Sequence, residues 1–309
     1  LPVSTANQGQ STMNKQKIQA GDIQLALYTW GQAPSVEQPR EIIVLAHGFP
    51  DRAALWEKVA RELEKDYFVV AFDMRGCGDS SPIRGIRHYK YAALIEDLFA
   101  VIDAVRPNQK VHLVGHDWGG LYGWEAIASP EGEKRIASFT TLSPSLEHVG
   151  LFLRKRLLRP TPRNLLQLFG QLGRNSLMTF FTLPLLPELL WRSGLGVAMM
   201  RRMVTHFEPR ITYQKNPGVE GDAIRYLGIY RANLLQRTLR PRRVVSQVPV
   251  HVLLAVKDPF LPPSVFEQCA QGTRTYSSSE LDASHWAPLS RPKELARAVS
   301  SQVQRCAVV

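Results

Sequence analysis

The stretch Val114-Gly115-His116-Asp117-Trp118-Gly119-Gly120 decides how the rest of the chain is read. It follows the apolar run Lys110-Val111-His112-Leu113-Val114 and opens a helix-forming segment, which places it at a strand-to-helix turn. Its form is that of a nucleophile elbow, glycine-x-nucleophile-x-glycine, with an aspartate at the centre. The central residue of such an elbow sits on a strained turn where a Cβ on a flanking residue would collide with neighbouring backbone. The helix N-terminus directly behind Asp117 favours an ionised carboxylate, which is expected to attack without the help of a base.

On the N-terminal side, Glu41-Ile42-Ile43-Val44-Leu45-Ala46 and Tyr67-Phe68-Val69-Val70-Ala71-Phe72 are further continuous apolar runs, the pattern of parallel strands buried on both faces. Amphipathic segments around residues 52–65 and 91–105 are long enough to be crossover helices. The repeated strand-helix-strand order predicts an α/β fold with a mostly parallel, doubly wound sheet. An antiparallel pair, Lys15 to Ala20 and Ile23 to Trp30 around Gly21-Asp22, is expected at one edge. From residue 146 to 244 the texture changes to Leu, Phe and Arg at helical spacing, with no strand pattern until Val248. Residues 146–244 are therefore read as an all-helical insertion, and residues 1–145 with 245–309 as the α/β core. The core resumes with Pro249 to Val256, a helical stretch from Pro263, a strand from Thr273 to Ser278 and a last helix near Lys293 to Arg305.

A chain of 309 residues, 44% of them apolar, can bury a large core. The most apolar stretch, Leu177 to Trp191, is broken by Pro184, Pro187 and Glu188 and is too short for a hydrocarbon layer of about 30 Å. The Phe180-Phe181 pair and Leu183 to Leu190 are expected to form the core of the insertion rather than a lipid anchor. The opening Leu1-Pro2-Val3-Ser4-Thr5 has no methionine, stays polar to Met13 and lacks the basic-then-apolar order of a signal peptide; a true start at Met13 and a processed precursor are the two readings left open. Three cysteines without C-x-x-C spacing argue against a disulfide framework and a zinc ribbon, and favour a reducing, cytoplasmic compartment. The net charge of +11 is localised, since residues 146–243 hold 17 Lys and Arg against 5 Asp and Glu. Such a balance suits an anionic lipid surface, an acidic partner or nucleic acid, or serves solubility alone. Peripheral contact with an anionic membrane is the partner carried forward, and nucleic acid is not.

An aspartate nucleophile constrains the chemistry more than the fold does. A carboxylate that attacks an sp³ carbon forms an alkyl ester, which water must then cleave at the carboxylate carbonyl. That second step needs a base for the water and an oxyanion hole for the tetrahedral intermediate. Asp258, in the exit Asp258-Pro259-Phe260 after a strand, and His285, in Ser284-His285-Trp286-Ala287-Pro288, follow in the order nucleophile, acid, histidine. Asp258 is expected to fix the imidazole tautomer and stabilise its cation. Backbone N–H groups of Phe49, in His47-Gly48-Phe49-Pro50, and of Trp118 are expected to form the oxyanion hole. The turn Asp73-Met74-Arg75-Gly76-Cys77-Gly78-Asp79-Ser80 lacks the third glycine of a dinucleotide fingerprint. His112 and His116 straddle a strand and a turn, so they lack the shared helical face of a zinc site.

These four motifs, His47 to Pro50, Asp73 to Ser80, Gly115 to Gly120 and Ser284 to Pro288, make the chain resemble the epoxide hydrolase branch of the α/β-hydrolase superfamily from about Lys15 to Val303. The resemblance implies a helical cap inserted after the sixth core strand and cap tyrosines that hydrogen-bond the epoxide oxygen. Tyr230, in Tyr230-Arg231-Ala232-Asn233, matches the later tyrosine, whereas Leu177 takes the place of the earlier one, which implies a one-tyrosine clamp. A phenol of pKa near about 10 suits protonation of the departing alkoxide. His47, Trp56, Leu177 and Trp286 are candidate pocket residues. The reaction implied is opening of a lipophilic epoxide by water to a vicinal diol, with no metal or organic cofactor. A dehalogenase ranks second, because Phe49 stands where haloalkane dehalogenases pair Asn or Trp with the Trp after the nucleophile. A ligand-binding module that has lost turnover ranks third.

Overall fold

The computed structural model describes residues 13–107 and 109–307. The residues preceding Met13, on which both readings of the start bear, lie outside the described residues. Among the described residues eight strands form one sheet: β1 (Asn14–Ala20), β2 (Ile23–Trp30), β3 (Ile42–Ala46), β4 (Phe68–Phe72), β5 (Val111–Gly115), β6 (Ile136–Thr141), β7 (Val250–Ala255) and β8 (Tyr276–Leu281). Their order is β1-β2-β4-β3-β5-β6-β7-β8. The β1-β2 hairpin covers one edge, β2 meets β4 antiparallel, and every later pairing is parallel. The middle strands β3 and β5 are buried along their whole length, which is why they read as unbroken apolar runs.

Between strands the chain winds through α1 (Glu57–Leu63), α2 (Tyr91–Val105), α3 (Trp118–Ile127) and α4 (Pro130–Arg135). Six helices then separate β6 from β7: α5 (Leu146–Leu158), α6 (Pro162–Arg174), α7 (Ser176–Phe180), α8 (Leu186–Arg192), α9 (Leu195–Phe207) and α10 (Val219–Leu239). After β8 come α11 (Ala287–Ser290) and α12 (Pro292–Ala307). The insertion starts on a capping box, in which the Ser145 side chain accepts from His148 N–H and His148 returns a bond to Ser145 N–H. The stretch from Pro263 is a 3₁₀ helix ending at Gln271.

Three expectations shift. The strand expected from Thr273 begins at Tyr276, because Thr273 is taken by an isolated bridge to Ser246. Within the insertion Phe181 and Trp191 are buried, but Leu183, Leu185, Leu186 and Leu189 are exposed, so this segment is core on one side only. The basic charge is also partly answered: Arg156 pairs with Glu267, Arg231 with Glu188, Arg237 with Glu125 and Glu147, and Arg242 with Glu125. No helix among the described residues is long and apolar enough to cross a membrane.

Candidate active site

β5 ends at Gly115 and α3 begins at Trp118, leaving Asp117 on the turn with φ 49° and ψ −126°. This backbone costs a non-glycine residue about 1–3 kcal/mol, held here by the surrounding sheet. A Cβ on Gly119 would stand 2.2 Å from the Ala46 carbonyl oxygen, and one on Gly48 would stand 2.3 Å from Asp117 Oδ2. Both glycines thus let the β3 exit approach the elbow. That approach brings Phe49 N–H to 2.7 Å from Asp117 Oδ2, and the backbone N–H of Trp118 adds a second donor to the same carboxylate.

His285 lies between β8 and α11, and its Nδ1 donates to Asp258 Oδ2 at 2.9 Å. The other oxygen of Asp258 accepts from Phe260 N–H at 2.7 Å and Leu261 N–H at 3.1 Å, so the carboxylate is held at both ends. With Nδ1 engaged, Nε2 is the imidazole nitrogen left for proton transfer. Burial by itself would lower the pKa of His285, but the carboxylates of Asp258, Asp117 and Asp51 outweigh it and raise the value to about 9. Burial pushes the carboxyl of Asp117 above its ordinary range, against the opposing pull of His285 and of the Phe49 and Trp118 N–H groups. The helix N-terminus therefore does not hold Asp117 ionised alone. Its charge depends on the His285 cation as well.

Asp117, His285, Phe49, Leu177, Tyr230 and Trp286 line one cavity. The remaining wall is mostly apolar, with Met200, Met203, Phe181 and Leu234 from the insertion facing Leu121 and Phe260 from the core. The Tyr230 ring meets Phe49 edge-on at 5.2 Å and Trp118 edge-on at 4.8 Å. Burial, reinforced by the charge of Asp117, raises the pKa of this phenol well above its ordinary value, so it keeps its proton. No other tyrosine is on this wall among the described residues: Tyr226 donates to Cys77 Sγ at 3.1 Å, and Tyr213 faces a separate cleft with Asp51.

A model of the alpha/beta hydrolase fold matches residues 41–292. The chain belongs to the α/β-hydrolase family. It is 33% identical over 263 residues to the "Probable oxidoreductase EphD" of Mycobacterium tuberculosis, an alignment covering 83% of this chain and 44% of that protein. The chain thus spans less than half the length of that relative. It is 26% identical to human "Epoxide hydrolase 4" over 83% of this chain and 70% of that one. Among solved structures, an epoxide hydrolase of Bacillus megaterium with a bound inhibitor superposes with a TM-score of 0.73 at 22% identity, covering 94% of this chain and all of that one. The epoxide hydrolase VrEH1 of Vigna radiata gives 0.71 at 17% identity, over 95% and 98% of the two chains. Both structural likenesses are likenesses of fold.

Two expected pocket residues of this α/β hydrolase are not on the cavity wall. Trp56 is fully buried on the other side of the sheet, among Ala53, Val59 and Leu295. His47 is consumed in holding its own loop: Nδ1 donates to Gly48 O at 2.9 Å and Nε2 accepts from Met74 N–H at 3.0 Å. The only cluster among the described residues with metal-ligand spacing, His47 with Asp73 and Cys77, is committed in the same way, because Asp73 accepts from Ala53 N–H, Asp79 N–H and Tyr28 Oη. Arg75 is locked in a bidentate pair with buried Asp97.

Three contributors escape the sequence reading. Asp51, raised to about 7 by burial and then by the charge of Asp117, adds negative potential to His285. Glu208, between α9 and α10, accepts from Ser284 N–H, Ser284 Oγ and Ser290 Oγ at 2.8, 2.8 and 3.0 Å, gripping the loop that carries His285. His116, kept neutral by burial, donates from Nε2 to the His285 carbonyl at 2.8 Å, and its ring stands 4.8 Å from that of His285. The one local signal was the place of Asp51 just after His47-Gly48-Phe49-Pro50.

Proposed function

We propose that this chain hydrolyses a lipophilic epoxide to a vicinal diol through an ester on Asp117, with residues 146–244 acting as a cap over the site. The observation that carries this reading is the proton-bearing Tyr230 on the same apolar wall as Asp117 and His285, where a departing alkoxide would need its proton. Asp117 attacks one epoxide carbon, the carbon–oxygen bond breaks, and the Tyr230 proton passes to the freed oxygen. His285 then takes a proton from water, and the hydroxide adds to the Asp117 carbonyl while Phe49 and Trp118 N–H groups hold the oxyanion. Collapse passes the proton of the added hydroxyl to the departing alkoxide, giving the diol and the Asp117 carboxylate, and the proton taken from water stays on His285 as its resting cation.

The resting charges support this order. Part of the upward pull on His285 comes from the Asp117 carboxylate. Forming the ester erases that charge, so the imidazole loses part of its raised basicity and passes its proton to the Tyr230 phenolate, which leaves a neutral base at the stage where one is needed. Replacing His285 by Gln is expected to slow the first half-reaction, because Asp117 loses the cation that favours its ionised form, and to stop the second. The variant should consume about one equivalent of epoxide and retain an adduct on the peptide containing Asp117. Full turnover, or neither consumption nor adduct from a variant that binds substrate, would sink the assignment.

A dehalogenase reading has one observation in its favour, the buried indole N–H of Trp118, a potential halide donor that interacts here with the Tyr230 hydroxyl. The Trp118 side chain is not on the cavity wall, which ranks that reading second. A panel of epoxides and haloalkanes, scored for diol and for released halide with Asp117→Asn as the blank, separates the two.

A further inference from the structure

The α5-α6 arm carries more exposed apolar surface than its own packing explains. Leu166 and Phe169, 76% and 65% exposed, continue with Leu172 as an i, i+3, i+6 stripe along α6, and Leu157 and Leu158 end α5 beside it in sequence. Nothing stands within 4 Å of where a Cβ would sit on Gly170 or Gly173, so this helix has an open side. Its inner side is fixed: Leu168 and Gln171 are buried, Gln171 donates to Phe260 O at 3.1 Å, and Arg174 donates to Pro259 O at 2.7 Å. The stripe is therefore a rigidly presented surface.

Charge says what can cover it. Residues 148–187 contain six Lys and Arg and no Asp or Glu. Lys155, Arg159 and Arg163 line a shallow cleft where α5 turns into α6, and the acid there, Glu267, is already paired with Arg156. None of those three has an acidic partner among the described residues. A second copy laid symmetrically on this face would oppose like charges in a chain already at +11. Exposed Leu and Phe beside unanswered Arg and Lys match an anionic bilayer, which offers acyl chains to the former and phosphates to the latter.

We infer that the α5-α6 arm seats the protein on an anionic phospholipid bilayer, with Leu166 and Phe169 among the acyl chains and Lys155, Arg159 and Arg163 on lipid phosphates. Asn175, Leu177 and Met178, directly after α6, line the cavity, so a seated bilayer lies beside its wall and a lipophilic epoxide can pass from one to the other. Only that delivery clause rests on the proposed function.

Vesicle flotation of the whole chain tests the seat without any substrate. Vesicles of equal parts phosphatidylcholine and phosphatidylglycerol are expected to carry the protein, and pure phosphatidylcholine vesicles are not. Arg159→Glu with Arg163→Glu should lower partitioning at least about tenfold, from up to about 1 kcal/mol for each basic residue near the surface. Leu166→Gln with Phe169→Gln should lower it comparably, with an unchanged melting temperature to show an intact fold. Equal retention on the two vesicle types overturns the inference. So does binding lost only on charge reversal, which would mean mere adsorption, or a dimer in sedimentation that the Leu166 and Phe169 replacements abolish, which would make the stripe a protein interface. A chain that floats but turns over no epoxide leaves the seat standing and removes the catalytic reading.

Discussion

Asp117 and His285 set each other's charge. Burial opposes ionisation of both; Asp258 first, then Asp117 and Asp51, keep His285 charged, and His285 with the Phe49 and Trp118 N–H groups favours the Asp117 carboxylate. His285 should accordingly titrate near 9 in the resting protein, and Asp117→Asn should move that titration down, read by proton and nitrogen NMR of the imidazole. The sign for stability follows: the folded value lies above the ordinary value of about 6.5, so protonation favours the fold. This contribution is complete below about 6.5 and lost as pH rises through about 9; in Asp117→Asn the loss should come at lower pH. An unmoved titration would show that Asp117 carries no charge in the resting site. For Tyr230, replacement by Phe should slow ester formation at least about tenfold, or 1.4 kcal/mol, in a single-turnover measurement. If the one-tyrosine clamp is limiting, Leu177→Tyr raises that rate. That these residues meet was legible because Asp117, Asp258 and His285 each sit in a local strand-exit motif. Charge state was not, because it is summed over groups that only the fold assembles.

Elements position these groups, and the loop after β8 is held mainly from outside itself. Glu208 reaches it from the α9-α10 connection, 76 residues away in sequence from Ser284. One carboxylate oxygen takes three donors there, two of them on buried Ser284. Glu208→Ala strands those donors, at a cost of about 1–3 kcal/mol for each that water cannot reach, and frees the His285 loop to shift. Ester hydrolysis should slow more than ester formation, since only the former depends on the aim of His285, and Glu208→Gln, which keeps an acceptor, should restore most of it. Equal slowing of both steps in single-turnover kinetics would make Glu208 a fold residue only. The sequence shows a lone glutamate before a proline, Glu208-Pro209, with no periodicity to mark it. The strands and the insertion were legible for the opposite reason, as runs whose pattern repeats over many residues.

At the scale of the molecule, the insertion and the core meet at a buried carboxylate. Asp222, in the first turn of α10, accepts from Arg52 Nε at 2.8 Å and from Gly78 N–H at 3.0 Å, and pairs with Arg225 of its own helix. Arg225 in turn donates to Gly76 O at 2.6 Å. One acid thus ties α10, which carries Tyr230, to the turns after β3 and β4. The +11 of the whole chain hides this arrangement, because Lys155, Arg159 and Arg163 stand without acidic partners where α5 turns into α6 while α10 is pinned by acids of both parts. Asp222→Ala leaves Arg52 and Arg225 without their shared partner, and removing one member of a buried ionic group typically costs about 3–5 kcal/mol. Urea unfolding should show a loss of that order. Asp222→Asn, which keeps the acceptor without the charge, should lose less, and the gap between the two reports the packing share. If α10 loosens before the sheet does, amide exchange in Asp222→Ala should rise along Val219–Leu239 and not in β3 or β5. Exchange rising equally in all three would mean that insertion and core unfold as one unit and that Asp222 ties nothing that packing does not already hold.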